Sequence, residues 1–560
     1  MGGVTQERQP IAEATDPTGP DGDAGSRPGR VLRPVLAMLS GLLAGFAALA
    51  VAEPVSAAIG ARSSPVTAVG GAVIDRTPAG LKDFAIRTFG SQDKLVLQLG
   101  ILALLVLFAA GVGLLALRHR RTGAAGVLLF GAVGVAAAME RPQAGTLDWV
   151  PAMVGSLAGA GVLYLLAGRL TRNDRSAGMT ASPAGEDEDA FHQAASSAFD
   201  RRGFTLTAAA VAAGSVGAGL AGRQLNASRG AEAAASRSTI RLPTPASRAA
   251  PTPRGSDLEI KGMDPYITPN RDFYRVDTAL SVPRIEVSTW RLRVHGKGVT
   301  TPLTLTFEDL LKRKLIERHI TLTCVSNQVG GSYVGNARWL GVPLGDLLRE
   351  AGVRPPSKGG RADQLVARSE DGMTLGSPVE TVMDGRDAML AVGMNGEPLP
   401  FTHGFPVRMV VPGLFGYVSA CKWLRDLELT TFDDYDVYWV RRDWAREAPV
   451  KTQSRIDTPK PLASLKPGTV RVAGVAWAQH IGIGRVEVRV DDGSWHKARL
   501  AEEDTTDTWR QWMWEWPATA GNHRLQVRAT DKDGETQTAE RVGTVPDGAT
   551  GRHAVVVNVT

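Results

Sequence analysis

The sequence predicts three kinds of structure in one chain: an N-terminal helical transmembrane region, an α+β domain, and a C-terminal β-sandwich. Two observations carry this division. The 560 residues are too many for a single core. Their composition also changes part-way, from long uncharged Ala/Gly/Leu/Val runs to a mixed, Trp-rich half. The formal net charge of +6 is scattered, with no basic stripe carrying interleaved aromatics, so nucleic acid is not an expected partner. Two cysteines are too few for a disulfide framework or a Cys-rich zinc site.

Residues 1–30 are rich in Gly, Pro, Asp and Arg without an apolar period, and read as a disordered arm. Within 31–175 lie four apolar segments, at 34–51, 95–117, 123–139 and 150–166, each close to the length a bilayer core demands. Glu53-Pro54 is expected to end the first of them. Residues 55–93, with Asp75, Arg76, Lys82, Asp83 and Arg87, read as a soluble loop. Three arginine clusters fall on one side if the spans alternate: Arg27, Arg30 and Arg33; Arg118, Arg120 and Arg121; Arg169, Arg172 and Arg175. The positive-inside rule assigns that side to the cytoplasm.

Region 176–255 is expected to hold a cytoplasmic linker with an acidic patch (Glu186, Asp187, Glu188, Asp189), a fifth apolar span at 204–221, and a flexible tether from residue 223. Arg201-Arg202-Gly203-Phe204 ahead of this run resembles a twin-arginine export signal. The alternative is an ordinary fifth span flanked by positive-inside charge. On either reading the rest of the chain lies outside the cytoplasm, as a domain of a multi-pass plasma-membrane protein. The first four spans carry no mid-membrane His, the commonest haem ligand, so the membrane region reads as an anchor and not as a haem-bearing quinone subunit.

The α+β domain is bounded at 256–445. Residues 282–299 read as extended, with Trp290, Leu292 and Val294 alternating against Arg291, Arg293 and His295. Residues 307–316 and 344–351 read as helices, without strict βαβ alternation. Between them Thr321-Leu322-Thr323-Cys324-Val325-Ser326-Asn327-Gln328-Val329-Gly330-Gly331 ends a β-rich run in a Gly-rich loop. A thiolate at Cys324 is a soft ligand suited to a transition-metal centre, and Gly330 and Gly331 let backbone approach a ligand. The competing reading pairs Cys324 with Cys421 as a disulfide in a cofactor-free cell-surface binding protein.

Five ordered motifs resemble the sulfite oxidase family of molybdopterin enzymes across roughly 260–545. They are Pro269-Asn270-Arg271-Asp272-Phe273-Tyr274-Arg275-Val276-Asp277, the Cys324 loop, Met394-Asn395-Gly396-Glu397-Pro398-Leu399-Pro400, His403-Gly404-Phe405-Pro406-Val407-Arg408 with its continuation to Gly413, and Lys422-Trp423-Leu424. The resemblance implies a sulfite-oxidase-like molybdopterin domain with the molybdenum–molybdopterin cofactor and Cys324 as the one protein ligand to the metal. It implies Asn270, Phe273, Tyr274 and Arg275 against the pterin, and His403, Arg408 and Lys422 at its phosphate end, with Ser419 adding a hydroxyl. Arg338 is expected to line the substrate pocket. Sulfite-oxidising members carry an Arg shortly after the cysteine, whereas Val325-Ser326-Asn327-Gln328 holds no cation. The expected activity is therefore oxygen-atom transfer on a small, sulfite-like substrate, with reduction of S- or N-oxides as the alternative. Electrons are expected to pass through an external carrier, a cytochrome or similar.

Region 460–545 carries short alternating runs. Val486, Val488 and Val490 interleave with Arg485, Glu487 and Arg489; Leu525, Val527 and Ala529 interleave with Arg524, Gln526 and Arg528. Asp492-Gly493 is a turn signal, and the pattern suggests an immunoglobulin-like sandwich. The resemblance makes it a dimerisation-type module, with Trp509-Arg510 expected at the edge of the substrate pocket.

Overall fold

The computed structural model describes residues 29–60, 63–77, 93–141, 145–176, 201–279 and 281–560. The expected disordered arm, up to residue 28, and the acidic patch at 186–189 lie outside them. The chain divides into two compact units. One is Met1–Val51, Leu95–Ala132 and Met153–Ala218; the other is Ala52–Lys94, Val133–Ala152 and Gly219–Thr560.

Six helices precede the first strand among the described residues: α1 (Gly29–Ile59), α2 (Pro65–Arg76), α3 (Asp93–Arg118), α4 (Arg120–Met139), α5 (Val150–Ser176) and α6 (Arg201–Thr239). All but α2 are long and apolar enough to cross a membrane, by length and composition, with mean hydropathy from 1.6 to 2.7. In the first unit α1 and α3 touch backbone to backbone. A Cβ on Gly41 would lie 1.9 Å from the Ala109 carbonyl oxygen, and one on Gly113 would lie 2.1 Å from that of Ala37. Ala37/Gly41 and Ala109/Gly113 are thus two small-xxx-small pairs that permit this approach.

Three sequence expectations change here. Glu53-Pro54 does not end the first helix: α1 continues to Ile59, because a helix survives the single ladder bond a proline removes. The expected loop at 55–93 contains α2. The expected flexible tether from 223 is helical to Thr239, since Ala231-Glu232-Ala233-Ala234-Ala235 has high helix propensity. Beyond it the chain is laid along the next domain, with Ala246 N–H donating to Leu315 O at 2.8 Å and Glu317 N–H to Ser247 O at 2.8 Å.

The following domain has two five-stranded sheets. The first contains β3 (Ile316–Thr323), β4 (Val334–Pro343), β7 (Met389–Met394), β8 (Glu397–Pro398) and β9 (Arg408–Val410), with β9 pairing β7. The second runs in the order β2 (Leu303–Thr306), β1 (Arg291–Gly296), β10 (Leu424–Thr430), β5 (Gln364–Ser369), β6 (Thr374–Pro378), with β1 and β10 parallel. Short helices α7 (Phe307–Leu311), α8 (Leu344–Glu350), α9 (Val379–Met383) and α10 (Gly416–Ser419) connect them. The extended segment expected at 282–299 is a strand only over Arg291–Gly296, where Leu292 and Val294 are buried between exposed arginines. The helix expected at 307–316 stops at Leu311, and Ile316 already opens β3.

The last region is two sheets with one apolar cluster between them. Four strands run β11 (Gln453–Thr458), β13 (Gly468–Trp477), β17 (Arg510–Ala518), β16 (Arg499–Leu500); five run β12 (Ser464–Leu465), β19 (Ala554–Val559), β18 (Gly521–Asp531), β14 (Ile483–Val490), β15 (His496–Lys497). The region extends past the expected limit at 545, because β19 completes the second sheet against β18. Its seam with the preceding domain is hydrogen-bonded along β3. Thr321 N–H donates to Asp507 O at 2.9 Å, Trp509 N–H donates to Thr321 Oγ1 at 2.7 Å, and Gln479 Nε2 donates to Thr323 Oγ1 at 2.7 Å. Trp509 is fully buried there, its Nε1 donating to Tyr266 O, so it belongs to the seam and not to a pocket edge.

Candidate active site

Cys324 follows β3 directly, and its loop is closed by its own backbone. Cys324 N–H donates to Tyr333 O at 2.9 Å, and Asn327 N–H donates back to Cys324 O at 3.0 Å. Asn327 Oδ1 accepts from Tyr333 N–H at 2.9 Å. Gly330 has φ +80°, and a Cβ there would lie 2.1 Å from the His553 ring, so only glycine fits. The Cys324 thiol is buried. Burial pushes it up, while hydrogen bonds from Ser326 and the Lys422 charge oppose that shift. Cys324 and Cys421 are both free thiols, which removes the disulfide reading.

Two buried cations face this region. Lys422, which precedes β10, has its ammonium 2.9 Å from Asp277 Oδ2 and 4.5 Å from the centre of its neighbour Trp423's ring. Burial pushes it down to about 8, against the pull of Asp277. Arg408 opens β9, is 5% exposed, and lies 5.0 Å over the Trp339 ring. Its Nη1 donates to His403 O at 3.3 Å, but its Nε has no hydrogen-bond partner. Among the described residues no acid forms an ion pair with Arg408, and burial pushes the guanidinium down to about 10.

The early motif supplies the wall. Phe273 stacks on Tyr274 at 5.2 Å and meets Trp339 and His403 edge-on at 5.8 and 5.6 Å. Tyr274 is half-buried, with both Cys324 and Arg408 acting on its hydroxyl, and desolvation of that hydroxyl raises its pKa. His403 Nε2 lies 2.8 Å from Asn270 O. Burial, reinforced by the charges of Arg408 and Lys422, lowers the ring to about 4, so it is neutral with its proton on Nε2 and Nδ1 as acceptor. Asn270 is a framework residue: its side-chain amide holds Glu397 and Asn395 in the turn between β7 and β8. Arg275 is 40% exposed and donates to Asp277 at 2.8 Å. Ser419 is buried with its hydroxyl within 3.1 Å of the Leu414 and Phe415 carbonyls, so its proton is used in the turn that leads into α10.

Arg338 corrects an expectation. Gly335, Ala337 and Trp339 alternate onto the face that packs Phe273 and Arg408, and Arg338 therefore projects from the other. Its guanidinium is 43% exposed and 3.5 Å from Glu317. Sequence reading overlooked two members of the cluster, Trp339 and Asp277. Asp277 stood inside the quoted early motif, and Trp339 was visible as the residue next to Arg338 on the opposite side of a strand.

The donor set constrains what this site can hold. Among the described residues no group of three or more His, Cys, Asp or Glu could bind a metal, so a metal at Cys324 must arrive with its other ligands. A buried guanidinium without an anion is costly, and its orphaned Nε beside the Lys422 ammonium fits a phosphate-bearing group. These residues fit a molybdopterin: one soft thiolate for the metal, aromatic walls, and two cations for an anionic tail.

Comparison with known proteins agrees on the class. Residues 279–439 match the family described as oxidoreductase molybdopterin binding domain. Mitochondrial sulfite oxidase of Homo sapiens is 31% identical over 306 residues, 47% of this chain and 55% of that protein. The uncharacterized oxidoreductase YuiH of Bacillus subtilis (strain 168) is 33% identical over 159 residues, 28% of this chain and 74% of that protein. Among solved structures, the sulfane dehydrogenase SoxCD from Paracoccus pantotrophus aligns with TM-score 0.46 and 26% identity over 53% of this chain and 84% of that one. The chain belongs to the sulfite oxidase family of molybdopterin-dependent oxidoreductases. It spans about half the length of the curated mitochondrial sulfite oxidases it matches.

Proposed function

We propose that the protein is a membrane-anchored oxidoreductase that transfers an oxygen atom to or from a small, sulfite-like substrate on the extracytoplasmic side. The observation that carries this reading is the buried, unpaired Arg408 set with Lys422 near the buried Cys324 thiol. The bound cofactor supplies a metal that exchanges an oxygen atom and two electrons with the substrate. Cys324 holds the metal. Arg408 and Lys422 hold the phosphate end, with Asp277 keeping the ammonium in position. Neutral His403 would offer Nδ1 as an acceptor to the cofactor, while Phe273 and Tyr274 would exclude water.

A second reading, reduction of a neutral S- or N-oxide, is favoured by one observation: Arg338 projects away from the cluster, and the Cys324 loop brings no cation to an oxyanion. The helices are proposed as five membrane spans with the N-terminus in the cytoplasm, on the strength of their apolar length and the arginine clusters. The C-terminal sheets are proposed as an immunoglobulin-like module that pairs two copies, and a soluble cytochrome-like carrier as an electron partner.

The test is molybdenum content and sulfite-dependent reduction of an artificial acceptor by the full chain purified with cofactor supply, beside Cys324→Ser. Loss of activity in Cys324→Ser supports the oxidase. A molybdenum-loaded protein that reduces sulfoxides but ignores sulfite supports the second reading. Absence of molybdenum from the wild type would sink both.

A further inference from the structure

Helix ends and the cofactor-binding domain jointly line a cavity of about 880 Å³, all of it within the second compact unit. One wall is the ends of α1 and α4, the middle of α6, and α2; the other runs from Thr278 to Arg291 and includes Glu370 and Arg425. The volume lies in the range of sites for small organic ligands. Three of the four helices on the first wall, α1, α4 and α6, have the length and composition that suit a membrane, and the cavity lies at the ends of α1 and α4.

Two features decide the occupant. The first is charge. Six arginines face five carboxylates on the walls. Among those arginines, Arg76 pairs with Glu140, Arg425 with Glu370 at 3.4 Å, Arg229 with the Ala57 carbonyl and Arg291 with the Ser288 and Trp290 carbonyls, while Arg284 lies 5.4 Å over the Phe401 ring. A phosphate headgroup needs cations left over, and this near-balanced lining suits a neutral head with hydrogen-bonding oxygens.

The second feature is continuity with the molybdopterin site. Asp277, which holds Lys422, is bonded to Thr278 on the cavity wall. Lys422 and Arg425 begin and end a three-residue step, a strand length of about 10 Å, from one site to the other. Two hydrogen bonds cross between: Glu370 N–H to Trp423 O at 2.7 Å, and Trp290 Nε1 to Leu424 O at 2.7 Å.

We infer that this cavity binds the head of a membrane quinone, which exchanges electrons with the active site inside this one chain. The inference rests on the membrane and oxygen-transfer readings proposed above, and puts the quinone in place of the soluble carrier as electron partner. Oxidation of a sulfite-class substrate with one water releases two electrons and two protons, and a quinone takes two of each to become a quinol. Glu232 and Asp371 on the walls are carboxylates able to pass those protons. The absence of a haem-ligand histidine in the apolar spans, read from the sequence as a sign of a mere anchor, then has a different meaning: no relay is needed.

The experiment uses the full chain in detergent, a decyl-tailed benzoquinone, and its photoactivatable azido analogue. The expected cross-links map to 59–76, 226–232 or 278–291 by mass spectrometry, with or without loaded cofactor. Gly71→Leu fills the cavity without strain, since a Cβ at Gly71 meets nothing within 4 Å and leucine is the better helix former. It should weaken quinone binding by about tenfold or more while substrate-dependent reduction of ferricyanide persists. Arg284→Gln is a second variant that removes a wall donor and should also weaken binding. Cross-links elsewhere, unchanged binding in both variants, or a co-purified phospholipid that the quinone does not displace would overturn the inference. Ferricyanide reduction without quinone binding would defeat it and leave the oxygen-transfer reading standing; cross-links in the cavity without any turnover would do the reverse.

Discussion

Replacing Arg408 with Met should change stability in opposite directions with and without cofactor. The fall of the guanidinium from its ordinary value to about 10 corresponds to about 3 kcal/mol against the charged folded state. The folded pKa lies below the unfolded one, so this cost is present at every pH below about 10 and fades only as pH rises toward the ordinary guanidinium value; at pH 7 it is complete. Set against it are the contact over Trp339 at 5.0 Å, about 1 kcal/mol, and the long bond to His403 O, about 1 kcal/mol. Arg408→Met should therefore stabilise the cofactor-free chain by about 1 kcal/mol. In the loaded protein the same change removes charge-assisted bonds to the phosphate, each about 1.5–3 kcal/mol, and should destabilise. The assay is urea unfolding of the full chain, produced with and without cofactor supply. A variant that loses 2 kcal/mol or more equally in both states would mean that Arg408 is an ordinary structural arginine and that no anion binds there.

Further outcomes follow from the same geometry. His403 is lowered to about 4 from 6.5, so its contribution is intact above pH 6.5 and is lost as pH falls toward 4, by up to about 3 kcal/mol. His403→Gln should flatten the acid limb of the stability profile, and an unchanged limb would remove His403 as its source. Gly330→Ala forces a Cβ into the His553 ring at a positive φ, so it should cost about 2 kcal/mol or more and lower molybdenum content. Arg338→Ala breaks only a half-exposed pair with Glu317; stability should stay within about 0.5 kcal/mol and kcat/KM should hold. A tenfold loss of kcat/KM in that variant would return Arg338 to the substrate pocket.

Residue order carried much of the site and alternation much of the last domain. The Cys324 loop, Arg408 and Lys422 were readable because each sits in a motif whose neighbours constrain the backbone. Val486 and Val488 were readable as inward because a strand has a period of two. Arg338 was not, since its facing depends on where β4 begins relative to β3, a register that pairing decides. The helical extension to Thr239 was hidden because Arg, Ser and Thr dilute a run whose alanines favour helix. Trp509 looked like a pocket aromatic because sequence cannot distinguish a seam from an edge. Strand β19 lies beyond two turn-rich stretches, and only pairing with β18 reveals it.

The seam along β3 has a thermodynamic consequence. The strand that ends in Cys324 takes its edge partners from both sides: β4 within its own domain, and Asp507, Trp509 and Gln479 from the next. Trp477 and Trp509 are counted in the core of the first domain although the second supplies them. Parting the two would strand buried donors on β3 and open that core, so neither can melt first at low cost. Calorimetry of the full chain should accordingly give one endotherm for 240–560, where two separate cores would give two. The expected boundary between 445 and 460 divides the sequence, but not the cooperative unit.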